Sequence, residues 1–242
     1  MNKLFGLILQ YFKIGEIKKL IEEDKYILSY ILKHKWCVSE LDKNTLHWVK
    51  LGFKDIQKLD LSFSNVEKIP KTFKKLRKLN CKSTKINEIS KELINLEFLE
   101  CSDTKIKEIS KELINLKHLD CSDTKIKVIP DELVNLEVLC CSDTKIKEIP
   151  KKLINLRYLE CRNTDVKVIP KELVNLEMLD CRYAKIKEIP KTSLFGKKLK
   201  YLLINFDSEI ENIPKELLSL EEINFIHISL YKKDEEGNIL LN

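Results

Sequence analysis

A single 20-residue pattern recurs in register from Ile56 to about Phe195 of this 242-residue chain, and any fold it adopts must repeat with it. Units begin at Ile56, Leu76, Leu96, Leu116, Leu136, Leu156 and Leu176. The last is stretched through Phe195-Gly196-Lys197, and a degenerate unit follows from Leu199 to Pro214. In the unit that begins at Leu116, Leu119 and Cys121 lie two residues apart. A short strand therefore turns both to one side and turns His118, Asp120 and Ser122 to the other. Ile126, Ile129 and Leu133 then bring the chain back behind the strand and close a loop with an apolar inside. One such loop cannot bury that face alone. Stacked loops share a continuous core, and its two ends require caps. Six inward positions in each of seven units give roughly 42 core side chains, each contributing about 1.5–3 kcal/mol on burial.

All six prolines fall at one place in the unit: Pro70, Pro130, Pro150, Pro170, Pro190 and Pro214, with Ser90 and Ser110 there in two other units. Proline's fixed φ and missing N–H suit an extended turn and disfavour a long helix. Thr84, Thr104, Thr124, Thr144 and Thr164 stand where the chain leaves each strand and are expected to form a hydrogen-bonded ladder.

The spacing L-x-x-L-x-C-x-x-T-x-I-x-x-I-P resembles the leucine-rich-repeat consensus, with Cys for the third Leu and Thr for the usual Asn. The resemblance covers more than half the chain. It implies an α/β repeat solenoid, a horseshoe with a parallel β-sheet on the concave face and short turns or 3₁₀ pieces on the convex face. The expected organisation is a small helical N-terminal cap over 1–55, repeats over 56–225 and a C-terminal cap over 226–242, with a capping strand at Ile226–Tyr231.

Hydrophobic residues make up 43% of the chain and charged residues 34%, so it can bury a core and stay soluble. A net charge of +6 is too modest to imply a nucleic-acid partner. No apolar run reaches the ~18 residues that suggest a membrane span. Leu4–Leu9 lacks a small-residue cleavage site and runs straight into Gln10-Tyr11, so it reads as a helix rather than a signal peptide. Cys81, Cys101, Cys121, Cys141, Cys161 and Cys181 share one inward position and read as small core hydrophobes, not as disulfides or zinc ligands. A row of free thiols, with no Asn-x-Ser/Thr sequon, points to an intracellular, cytoplasmic setting.

Cys140 faces outward with Asp120 and Glu160 as neighbours and His118 diagonal to it, and acids disfavour the thiolate that nucleophilic catalysis needs. The regular repeats contain no glycine to cradle a phosphate, and no H-E-x-x-H, C-x-x-C or G-x-G-x-x-G motif occurs. The expectation is a non-enzyme without cofactor or metal.

The outward strand positions read instead as a partner-binding face. One column runs Lys58, Lys78, Phe98, His118, Val138, Tyr158, Met178, Tyr201, and the next runs Asp60, Asn80, Glu100, Asp120, Cys140, Glu160, Asp180. A third passes from Ser102, Ser122 and Ser142 to Arg162 and Arg182. Exposed aromatics beside charge suit interface anchors, and acids stacked at strand spacing repel one another. This predicts a monomer that binds a protein with complementary basic groups, unless Lys, Arg and solvent screen the acids. Lys105, Lys107, Lys125, Lys127, Lys145, Lys147, Lys185 and Lys187 form a ridge interrupted by Glu108, Glu148 and Glu188. The ridge lacks interleaved aromatics and reads as a solvated rim, with weak nucleic-acid binding as the alternative.

Residues 1–55 break the repeat and predict helices near 4–13, 17–36 and 43–51, which would cap the first coil. Ile8-Leu9-Gln10-Tyr11-Phe12 also resembles the I-L-x-x-L of an F-box, Leu32–Trp36 its V-x-K-x-W, and Leu46–Leu51 its closing L-W-x-x-L. An F-box followed by leucine-rich repeats is similar to proteins of large amoebal DNA viruses. That resemblance implies a Skp-type adaptor of a cullin-RING ubiquitin ligase, held through Ile8, Leu9, Phe12, Ile17, Leu20 and Trp36, with the repeats choosing the substrate in the host cell. The opening Leu-Pro pair is absent and the gap from Phe12 to Trp36 is longer than usual, so a plain cap stands beside this reading.

Overall fold

A 20-residue coil has room for one inward residue within each regular strand and a second, the cysteine, just beyond it, and the strands are accordingly short. The computed structural model describes residues 57–63, 66–69, 71, 73–190 and 198–204, with shorter stretches at 212–213, 217, 222–225, 231–233 and 239–241. Seven strands of three residues follow the repeat: β1 (Lys58–Asp60), β2 (Lys78–Asn80), β3 (Phe98–Glu100), β4 (His118–Asp120), β5 (Val138–Cys140), β6 (Tyr158–Glu160) and β7 (Met178–Asp180). After them come β8 (Tyr201–Ile204), β9 (Asn212–Ile213), β10 (Glu222–Phe225), β11 (Tyr231–Lys233) and β12 (Ile239–Leu241).

The first eight strands and β10 form one parallel sheet in the order β1 to β8, then β10. Neighbours pair one repeat apart, so Leu119 lies opposite Leu99 and Leu139. The stretched unit is absorbed between β7 and β8, where Met178 pairs with Tyr201. Strands β11, β12 and β9 make a separate antiparallel sheet. The predicted N-terminal cap, with Ile8, Leu9, Phe12, Ile17, Leu20 and Trp36, lies outside the described residues, as does 226–230 of the predicted capping strand.

Behind each strand two consecutive i→i+3 turns return the chain. The Leu133 N–H donates to the Pro130 carbonyl at 3.3 Å, and the Leu136 N–H to the Leu133 carbonyl at 3.1 Å. These turns make the convex side, and no α-helix occurs among the described residues. All six inward positions of the Leu116 unit are buried, as the alternation predicts.

The threonines behave differently from the expected ladder. Each Oγ1 donates to the cysteine carbonyl three residues earlier in its own coil, at 2.7 Å for Thr84 and Thr164 and 2.6 Å for Thr104, Thr124 and Thr144. A short hydroxyl-bearing side chain reaches its own turn before it reaches the next coil. The ladder between coils is made by asparagines instead. Nδ2 of Asn95, Asn115, Asn135, Asn155 and Asn175 donates to a carbonyl of the preceding repeat at 2.7–3.0 Å.

The core cysteines are sealed. Burial, reinforced by Glu100, pushes the Cys81 thiol up to about 12 from 9.0. Burial and then Asp180 push Cys181 up to about 12. Burial also raises Cys101, Cys121, Cys141 and Cys161 well above the ordinary range. An acid whose folded pKa is raised stabilises the fold fully below its unfolded pKa and loses that contribution as pH climbs toward the folded value. Stability should therefore fall between about pH 9 and 12, by up to about 1.4 kcal/mol per pH unit for each sealed thiol. Urea midpoints measured across this window under reductant test the point, and the slope should shrink in a Cys121→Ala variant.

One residue per coil, three beyond each strand, takes a positive φ: Phe63 (60°), Ser83, Asp103, Asp123, Asp143, Asn163 (49°) and Tyr183. Asp and Asn tolerate this left-handed region, whereas a side chain such as Phe does so at a cost of roughly 1–2 kcal/mol. Phe63 is 74% exposed, so its ring recovers little of that cost by packing. Phe63→Asn should raise stability by about 1 kcal/mol, read as a higher urea midpoint with unchanged slope. A lower midpoint would mean that the ring contributes contacts that outweigh the strain.

Candidate partner-binding face

The parallel register sets every outward side chain directly beside its counterpart in the next coil. Phe98, His118, Val138, Tyr158, Met178 and Tyr201 thus form one continuous row. The rings of Phe98 and His118 stack with centroids 4.2 Å apart and planes 14° apart. Burial lowers the His118 pKa, with Asp120 opposing, which favours the neutral imidazole in its stack on Phe98. Cations already border the row. Lys78 Nζ lies 5.8 Å from the Phe98 centroid, and the Arg157 guanidinium 5.9 Å from that of Tyr158.

The acid column divides in two. At its C-terminal end Arg162 Nη2 lies 2.5 Å from Glu160 Oε1, and Arg182 grips Asp180 with both Nε (2.9 Å) and Nη2 (2.7 Å). Asp180 is buried, and this bidentate pair makes its burial tolerable. Screening by arginine, the alternative posed by the sequence, therefore holds for Glu160 and Asp180. It does not extend to Glu100 and Asp120, which pair across β3 and β4 with serines, not arginines, beside them. Partial burial raises the Glu100 pKa, helped by Asp120 and Asp60 and opposed by Lys82.

Cys140 is half-buried between Asp120 and Glu160 rather than openly exposed. Burial first, then those two carboxylates, push its thiol up to about 12, with Arg162 opposing. Both causes disfavour the thiolate that a nucleophilic attack would need. The seven described cysteines are free. No group of three His, Cys, Asp or Glu is placed to hold a metal among the described residues, and no helix among them is long and apolar enough to cross a membrane. The lysine ridge is exposed at Lys105, Lys107, Lys125, Lys127, Lys145 and Lys147, and Lys185 pairs with Asp165 at 2.7 Å.

Two further rows escaped the sequence reading. At the sheet edge Arg77, Glu97, Lys117, Glu137, Arg157 and Glu177 alternate in sign, with contacts of 2.5 Å for Arg77–Glu97 and 2.6 Å for Arg157–Glu177. With Asn135, Asn155, Asn175 and Lys198, the later members of this row line a groove of about 440 Å³. Beside it Ile94, Ile114, Val134 and Ile154 stand partly exposed on the turns. Both rows repeat every 20 residues and were readable as periodic positions, but their chemistry shows only when neighbouring coils are stacked.

Residues 115–136 match the family model described as Leucine Rich Repeat. A comparison with curated proteins returns no match. Among solved structures, the functional domain of InlJ from Listeria monocytogenes, which includes a cysteine ladder, is 27% identical with a TM-score of 0.64 over 72% of this chain and 40% of that one. A leucine-rich-repeat protein of Leptospira interrogans is 25% identical, TM-score 0.61, over 71% and 48%. The ectodomain of the Arabidopsis thaliana receptor kinase GASSHO1/SCHENGEN3, solved with CASPARIAN STRIP INTEGRITY FACTOR 2, is 23% identical and shares the fold at a TM-score of 0.57, over 70% and 23%. The chain thus spans less than half the length of each of these structures. Leucine-rich repeats are generally non-enzymatic and typical of protein–protein interaction modules. In sequence period, strand register and similarity to these structures, the chain has the fold of a leucine-rich-repeat solenoid, with a cysteine at one core position of its regular coils.

Proposed function

We propose that this chain is a non-enzymatic interaction module that seats a partner protein on the concave face of its sheet. The observation that carries this reading is the row from Phe98 to Tyr201, held in one register and bordered by acids at Glu100 and Asp120 that no arginine covers. Rigid aromatics anchored by a scaffold lose little entropy when a partner covers them, and such side chains dominate binding energy at interfaces. The complex formed by the GASSHO1/SCHENGEN3 ectodomain supports the use of this fold for protein recognition. The proposal includes a monomer working inside the cell, where the free thiols stay reduced.

A photo-crosslinking residue placed at Tyr158 of the full chain in its native cell should capture a protein. The same residue at Val128, 70% exposed, should not. Phe98→Ala with Tyr158→Ala should weaken that complex at least tenfold. Capture from Val128 alone, or binding indifferent to both alanines, would move the interface off the concave face.

A narrower reading rests on Ile8-Leu9-Gln10-Tyr11-Phe12 and Leu32–Trp36, which support an F-box and hence a Skp-type adaptor, with the concave face choosing the ligase substrate. The full chain should then form a specific complex with purified adaptor that is lost when Ile8, Leu9 and Phe12 are changed to Asp. A folded chain that fails to bind would reduce residues 1–55 to a cap.

A further inference from the structure

The concave face carries its own template for what its centre accepts. In the coils starting at Leu156 and Leu176, Arg162 and Arg182 lay their guanidinium groups on Glu160 and Asp180 at 2.5 and 2.7 Å. In the three preceding coils the same position holds Ser102, Ser122 and Ser142, whose side chains are too short to cover Glu100 and Asp120. These two half-buried carboxylates lie opposite each other across β3 and β4 and form no ion pair among the described residues. Asp103, Asp123 and Asp143 stand at the rim of the same coils. Together the outward columns and rim of these three coils hold five carboxylates and neither Lys nor Arg, in a chain whose net charge is +6.

A second observation falls at the same place. Ser142 uses its hydroxyl to donate to Glu160 Oε1 at 3.1 Å and to accept from the Arg162 N–H at 3.1 Å. Ser102 occupies the equivalent position one coil before Asp120, is only 5% exposed, and its Oγ has no partner. A buried hydroxyl left unsatisfied beside acids that form no ion pair is a vacant half of a hydrogen-bonded contact.

We propose that the centre of the concave face binds a short extended segment bearing arginine side chains. Its guanidinium groups take, over Glu100 and Asp120, the place that Arg162 and Arg182 hold over Glu160 and Asp180. The stacked Phe98 and His118 rings, with Lys78 already over the Phe98 face, wall the site and offer an apolar edge against which an arginine's methylene stem lies. The flanks set the length. Lys78 and Lys82 on one side and Arg162 and Arg182 on the other repel a long cationic run, so two or three arginines at alternate positions fit better than a polycation. This assignment rests on the concave-face docking proposed above and names its chemistry.

The test uses the full chain and a fluorescein-labelled Gly-Arg-Gly-Arg-Gly peptide, with the Glu analogue as control, read by fluorescence anisotropy. The arginine peptide should bind, weaken with added salt, and lose at least tenfold in affinity to Glu100→Gln with Asp120→Asn. Those substitutions are near-isosteric and relieve repulsion, and circular dichroism confirms the fold. Glu108→Gln, on the lysine ridge, should leave binding unchanged. Equal binding to the double variant, stronger binding of the Glu peptide, or full displacement by millimolar calcium would overturn the assignment. If it is overturned while Tyr158 cross-links persist, only the arginine chemistry falls. If the cross-links are absent too, the docking reading falls with it.

Discussion

A 20-residue coil encloses too few side chains to exclude water by itself, so each coil's core is completed by its neighbours. Leu119 is buried because Leu99 and Leu139 lie against it in the sheet, and Cys121 because Cys101 and Cys141 do. The stack fixes everything else. It holds three-residue strands in a parallel register that strands so short could not keep in isolation, and it buries the thiols so that their ionisation is strongly disfavoured. A cysteine suits the site because it is small, apolar in practice, and free of the packing demands of a branched side chain.

The same register that builds the core creates the electrostatic problem on the outer face. Side chains one repeat apart are held at the strand spacing of about 4.8 Å, so a column of acids cannot spread apart to relieve its repulsion. The chain answers in two ways. At Glu160 and Asp180 it supplies arginines from the adjacent column. At Glu100 and Asp120 it supplies serines, and the carboxylates are left partly buried without an ion pair among the described residues. The contrast within one molecule is what gives the centre of the face its character, since the backbone there is the same in every coil.

Satisfaction of the backbone follows a similar division of labour. Threonine closes the turn of its own coil, while asparagine ties each coil to the one before it. The two residues stand at fixed places in the repeat and look equally polar in the sequence. Their reach separates them. A hydroxyl on Cβ meets the carbonyl three residues back, whereas the longer amide of Asn135 crosses to Ile114 of the preceding repeat.

The period, the alternation of inward Leu and Cys with outward polar residues, and the proline-marked turns were legible in the chain itself, because each depends on neighbours within one coil. They determined the solenoid, its core and the columns that face outward, down to the three-residue stretch before β8. Tertiary structure alone decided which acids are screened, that Cys140 is half-buried, that His118 stacks on Phe98, and that asparagine rather than threonine links the coils. The reason is distance along the chain. These contacts join residues on separate coils, about one repeat apart, and a side chain's choice among such partners is settled only when the coils are stacked.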